Sequence, residues 1–232
     1  MSDLLNTLLD DARLWRGHRQ FATIPDPEQT GFEALDNQLD GLGWPRGALS
    51  ECLLDAPGIG ELQLVLPLLR RVTTRKQTVF WVNPPLTPYA PALAREGVDL
   101  DQLIMVRADT RPDLLWTLEN CLRSPVTGLV MAWPDTLAAR DVRRLQLAAE
   151  AGHGSCILFQ SRRQACQSSP AALRLALEPD HQLGLRIHVL KRRGGWPGQG
   201  CTLPLQARSG CVAQEGSALV IRGPWSGGPA PG

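Results

Sequence analysis

The sequence lacks most of what marks a metal centre, a hydrolase or a membrane protein. Its six cysteines (Cys52, Cys121, Cys156, Cys166, Cys201 and Cys211) include no CxxC pair, and its four histidines (His18, His153, His181 and His188) have no metal-ligand spacing. There is no G-x-S-x-G elbow. No apolar run approaches the roughly 18 residues that a membrane-spanning helix needs. The start, Met1-Ser2-Asp3, lacks the basic-then-apolar order of a secretion signal. An excess of one charge is missing as well: 24 Lys and Arg stand against 23 Asp and Glu, a net charge of +1. That balance excludes a surface that coats nucleic acid along its whole extent and leaves only local basic patches. These absences predict a cytoplasmic protein with no cofactor and no membrane contact. The cysteines, several inside apolar runs such as Glu51-Cys-Leu-Leu, read as small buried hydrophobes in a reducing compartment.

What is present is an alternation. Leu4, Leu5, Leu8, Leu9, Ala12 and Trp15 recur at helical spacing, and a proline-rich connector follows. Thr30-Gly-Phe-Glu-Ala-Leu-Asp reads as a short helix with Thr30 as N-cap and Glu33 closing a capping box. Short runs at Leu49–Leu54, Val79–Val82, Leu103–Val106, Leu129–Trp133 and Cys156–Phe159 are largely apolar. Between them lie helical stretches after Gly60, near Tyr89–Glu96, Asp113–Leu122 and Asp141–Ala151. Largely apolar strands taking turns with helices predict a parallel sheet covered on both faces. Pro67 falls inside the helix expected after Gly60, which requires a kink or a different boundary. From residue 172 onward, apolar and polar residues alternate, as in half-exposed antiparallel strands. The chain divides into an N-terminal helix and linker (1–29), a core (30–222) and a Gly/Pro-rich tail (223–232).

Strand, glycine turn and helix together form the layout of a phosphate-binding loop. That chemistry needs G-x-x-x-x-G-K-[ST], in which backbone N–H groups wrap phosphate, Lys neutralises it and a hydroxyl holds the metal. Here the stretch reads Asp55-Ala-Pro-Gly-Ile-Gly-Glu-Leu. With Gly58 and Gly60 as the turn glycines, Asp55 replaces the first glycine, Glu61 stands at the lysine position and Leu62 at the hydroxyl position. A carboxylate repels triphosphate, and leucine cannot coordinate magnesium. The apolar run at Leu129 ends in Trp133-Pro-Asp135 instead of a metal-binding acid, which leaves Asp135 a turn or capping residue. Asn83-Pro-Pro stands where a carboxylate would polarise water. A protein without catalysis is expected.

Two features remain for binding. Lys191-Arg192-Arg193 and Arg162-Arg163 are the clearest basic clusters. Seven tryptophans against one tyrosine and four phenylalanines is an unusual mix, and tryptophan is enriched at binding hot spots. Trp15, Trp44 and Trp196, with Lys191, Arg192 and Arg193, are the candidate partner contacts. Arg162 and Arg163 are candidates for weak DNA contact.

Thr30-Gly-Phe-Glu-Ala-Leu-Asp followed by Gly41-Leu-Gly-Trp-Pro-Arg-Gly-Ala-Leu-Ser-Glu resembles the entry to the ATPase core of RecA recombinases. Gly58-Ile-Gly-Glu-Leu, Phe80-Trp-Val-Asn-Pro-Pro and Leu190-Lys-Arg-Arg-Gly-Gly-Trp-Pro-Gly resemble the ImuA family, the RecA-like and SulA-like accessory proteins of bacterial translesion synthesis. The resemblance covers about Trp15 to Leu205. It implies a RecA-like α/β core, with a mainly parallel sheet sandwiched by helices, antiparallel strands at the C-terminal end and a degenerate nucleotide site. It also implies a place in the SOS response. The partners it implies are an ImuB-type polymerase-like protein, an error-prone replicative-type polymerase and RecA, with DNA contact weak or indirect. The alternative is a SulA-like inhibitor that binds the tubulin-like division protein.

Overall fold

Residues 28–180, 184–195, 198 and 200–205 are described by a computed structural model. The expected N-terminal helix with Trp15, the Trp196 turn and the Gly/Pro-rich tail lie outside the described residues.

The elements follow in order: α1 (Glu33–Gln38), β1 (Leu49–Leu54), α2 (Glu61–Thr74), β2 (Thr78–Val82), α3 (Ala90–Arg95), β3 (Leu103–Val106), α4 (Arg111–Arg123), β4 (Thr127–Ala132), α5 (Ala139–Gly152), β5 (Ser155–Ser161), β6 (Leu173–Asp180), β7 (Gly184–Arg192) and β8 (Cys201–Pro204). The strands form one eight-stranded sheet ordered β3-β2-β4-β5-β1-β6-β7-β8. Pairing is parallel from β3 to β6 and antiparallel across β6-β7-β8. The expected mixture of a parallel sheet with a C-terminal antiparallel end is therefore observed.

Two apolar layers sandwich the parallel part. Leu64, Val65, Leu68, Leu69 and Val72 of α2 pack on Cys52, Leu54, Val79, Trp81, Met131, Ile157 and Phe159, joined by Leu35 of α1. On the other face, Leu114, Leu118 and Leu122 of α4 and Val142, Leu145 and Ala149 of α5 cover Leu49, Val82, Val130 and Leu158. The helix ends obey local chemistry. Thr110 caps α4, its hydroxyl accepting from the Asp113 N–H at 3.3 Å, and Pro112 sits in the first turn, where no intrahelical donor is needed. The helix consequently starts two residues earlier than its apolar stripe alone indicates. α2 runs through Pro67 as a single helix.

Three expectations are corrected. Thr30 does not cap α1: Phe32 occupies that position, with no side-chain cap. The Thr30 hydroxyl instead accepts from the Phe32 N–H at 3.1 Å, while its own N–H donates to Asp36 at 2.8 Å. Gly31 (φ 90°) places the chain in a left-handed turn there, its Cα packed against Pro67, so Thr30 closes a local turn one step ahead of the helix. β3 is not covered on both faces, since Ile104 and Met105 are each 45% exposed on the sheet edge. And β6 is not half-exposed: Leu173 through Leu177 are all buried, because β6 lies between β1 and β7 and its one charge, Arg174, is neutralised internally.

Candidate functional site

The loop between β1 and α2 lies at the C-terminal ends of the parallel strands, where open α/β sheets bind ligands. Gly58 (φ 90°) and Gly60 (φ 111°) are both left-handed, which aims their N–H groups into the bend. These donors are engaged by the chain itself. Glu61 folds back so that its carboxylate accepts from Gly58 N–H at 2.8 and 3.0 Å, one contact to each oxygen, and from Gly60 N–H at 3.2 Å. The Glu61 residue is only 4% exposed. The negative charge also meets the positive end of the α2 dipole. Glu61 thus stands where the loop's amides would hold an anion. Leu205, just past β8, closes the other side: a Cβ on Gly60 would collide with its Cδ1. Asp55 is an exposed bend residue, and Leu62 packs on the α2-side core. Beneath the loop, burial and the nearby Glu51 and Glu61 charges push the Cys52 thiol far above the ordinary range.

Aromatic packing fills the neighbouring strand ends. Trp133, which follows β4, stacks on Phe159 of β5 with ring centroids 4.7 Å apart, and Trp81 of β2 sits 5.9 Å from Trp133. Asp135 is an exposed bend residue beyond them. Asn83 (φ 51°) donates to the Ala108 carbonyl at 2.9 Å and accepts from its N–H at 2.8 Å, which ties β2 to the loop after β3. Among the described residues, no group of three or more His, Cys, Asp or Glu is placed to hold a metal ion, and no helix is long and apolar enough to cross a membrane.

The predicted contact residues do not assemble into one surface. Trp44 is 1% exposed, so it is a core residue and no partner contact. Its backbone pairs with Glu28, and Gly43 (φ 58°) lets the two segments approach too closely for any side chain there. The basic run at the end of β7 divides because successive strand residues face opposite ways. Lys191 donates to the Ser169 carbonyl at 2.6 Å, and burial together with Arg174 lowers its ammonium below the usual lysine range. Arg192 pairs with Asp40, on the α1 side. Arg193 reaches Glu150 of α5 at 3.3 Å. Of the other pair, Arg162 is bound to Glu178, while Arg163 remains exposed. These clusters brace the fold more than they present charge.

Sequence reasoning missed a buried polar network. Arg174 of β6 donates to Glu51 of β1 at 2.5 Å, with side chains 7% and 2% exposed. Ser169 donates to the same carboxylate at 2.7 Å, and Arg174 also donates to the carbonyls of Gln167 and Gln164, each at 2.8 Å. The network pins the turn Arg162–Cys166 and the chain after it onto the sheet. A carboxylate inside the apolar run Leu49–Leu54 was its one visible signal.

The fold and site define an α/β protein with a glycine loop at its strand ends, closed by its own carboxylate. No family model matches the sequence. Curated relatives do. The chain is 31% identical over 137 residues to protein ImuA of Caulobacter vibrioides, covering 57% of this chain and 56% of that protein. It is 26% identical over 121 residues to cell division inhibitor SulA of Photorhabdus laumondii (52% of this chain, 68% of that protein). It is 27% identical over 146 residues to cell division inhibitor SulA of Klebsiella aerogenes (61% and 79%). The chain thus spans little more than half the length of the ImuA protein it matches. Its sequence is ImuA/SulA-like.

Proposed function

We propose that this chain is a non-enzymatic, RecA-like adaptor of the bacterial SOS response, acting in the cytoplasm in support of error-prone translesion synthesis. The observation that carries the reading is the Glu61 carboxylate seated on the Gly58 and Gly60 amides. A loop that supplies its own anion has its Gly58 and Gly60 donors already taken and meets a triphosphate with a carboxylate, and Leu62 offers magnesium nothing. The likeness to ImuA supports a DNA-damage role. On this reading the partners are an ImuB-type polymerase-like protein and, through it, an error-prone replicative-type polymerase, with RecA as a further contact. Co-purification with the ImuB-type protein and with RecA tests it, and stable binding to neither would remove its basis. A labelled ATP analogue is the control: binding tighter than about millimolar, roughly −4 kcal/mol, would restore a nucleotide site.

A second reading, division inhibition, is favoured by the greater share of the SulA proteins that the matches cover. It predicts filamentous cells on overexpression and a block to polymerisation of the tubulin-like division protein in vitro. The adaptor reading predicts neither.

A further inference from the structure

Outside the loop, a concentration of exposed, oriented charge among the described residues lies between α4 and α5. Pro112, Trp116 and Arg123 form one outward stripe of α4, with Glu119 turned in beneath its arginines, opposite the inward Leu114, Leu118 and Leu122. Arg140 and Arg144 form the facing stripe of α5. Between them runs an open groove of about 810 Å³ lined by Arg111, Leu115, Trp116, Arg140, Asp141 and Arg144. Trp116 is 65% exposed, in a chain that buries Trp44 and Trp81 almost completely.

The charges are arranged so that four arginines share two carboxylates. Asp141 receives Arg111 at 2.6 Å and Arg140 at 3.7 Å; Glu119 receives Arg123 at 2.8 Å and also Arg144. Both acids are largely buried, with side chains 10% and 15% exposed, whereas all four arginines are at least half exposed. The acids therefore hold the guanidinium groups in place without using up their donors, and an incoming anion meets cations that are already ordered. The lining holds three arginines, each at least half exposed, against Asp113 and the largely buried Asp141.

We propose that this groove is a docking site for an acidic peptide segment of a protein partner, with carboxylates on Arg111, Arg140 and Arg144 and an apolar side chain against Trp116. It rests on the adaptor reading only for the occupant's role. A protein segment fits better than nucleic acid because Asp113 and Asp141 also line the groove. A continuous phosphate backbone would run across these acids, while a peptide places its carboxylates only where the arginines stand.

The test uses the full chain and three fluorescein-labelled probes. One is a 12-residue peptide of Asp and Glu with two Leu and one Phe, the second is its Asn/Gln counterpart, and the third is a 20-nucleotide oligo-dT. Fluorescence anisotropy at low salt is expected to show saturable binding of the acidic peptide alone. Arg140→Glu with Arg144→Glu is expected to weaken it by about tenfold or more, and Trp116→Ala by about fivefold. Arg143→Glu, on the neighbouring helix face that lines a different pocket, is expected to change it by less than about twofold. Circular dichroism confirms that each variant is folded. Equal loss with Arg143→Glu, binding indifferent to all variants, binding of none of the three probes, or oligo-dT bound in place of the peptide would each overturn the proposal. The co-purification experiment reads out separately, so failure here does not imply failure of the adaptor reading.

Discussion

Replacing Glu61 by alanine removes the acceptor that closes the β1–α2 loop, and the structure sets the size of the effect. Two backbone donors are bound to one ionised group, and hydrogen bonds to charged groups contribute about 1.5–3 kcal/mol each. Gly58 faces water and its amide rehydrates, whereas Gly60 is half-buried beneath Leu205. Counting the buried donor in full and the exposed one in small part, with about 0.5 kcal/mol from the helix dipole, gives about 2–4 kcal/mol. For a domain of this size that is a fall in Tm of about 4–16 °C. Glu61→Gln keeps an acceptor but loses the charge, so it falls between the two. The vacated amides should then accept a free anion. With a Kd of ~10 mM, 100 mM phosphate would restore about 1.4 kcal/mol to Glu61→Ala beyond its general effect as an excluded salt. The wild type, with the position filled, should gain only the general effect. Thermal scans of the three proteins in matched phosphate and chloride buffers measure both quantities. A Glu61→Ala protein melting within about 1 °C of wild type, or the same phosphate increment in both, would refute the reasoning.

Three further outcomes are expected. Arg174→Met should cost about 3–5 kcal/mol in urea denaturation, because it strands the buried Glu51 carboxylate. The double replacement with Glu51→Leu should be much milder than the sum of the two single changes. Trp44→Ala should destabilise by about 3–5 kcal/mol, while any partner binding measured on the remaining folded protein stays unchanged. Iodoacetamide at pH 8 should label the exposed Cys166 in the native protein and spare Cys52 and Cys156 until denaturant is added, as peptide mapping will show. Cys121, whose thiol is pushed up to about 11 by burial, should react slowly.

The alternation of apolar runs with helical stripes carried the sheet, because parallel strands buried on both faces have no choice but uniform hydrophobicity. It failed at β3, whose Leu-Ile-Met-Val reads like any central strand; edge position depends on which strands pair, a tertiary fact. The order of residues 55–62 made an unusual glycine loop visible, yet gave no sign that Glu61 would fold back onto Gly58 and Gly60 instead of facing solvent. Trp44 was misplaced because its loop neighbours, Gly43 and Pro45, look like surface turn residues. What buries it is a bridge to Glu28, beyond any local pattern. The split of Lys191, Arg192 and Arg193 follows from strand alternation alone and was therefore readable once β7 was taken to extend through Arg192. Trp116 sat in plain view as an outward member of a helix whose Leu114, Leu118 and Leu122 point inward.

The junction at β6 has a consequence for biosynthesis. β1 is made early, but its outer neighbour β6 emerges more than a hundred residues later, and until then β1 presents an unpaired apolar edge. A nascent or truncated chain that stops short of Leu173 offers that edge, with its buried Glu51 unneutralised, to any other chain nearby. Premature termination in this stretch should therefore yield inclusion bodies instead of a smaller soluble product, and the last strands act as a built-in guard against misassembly.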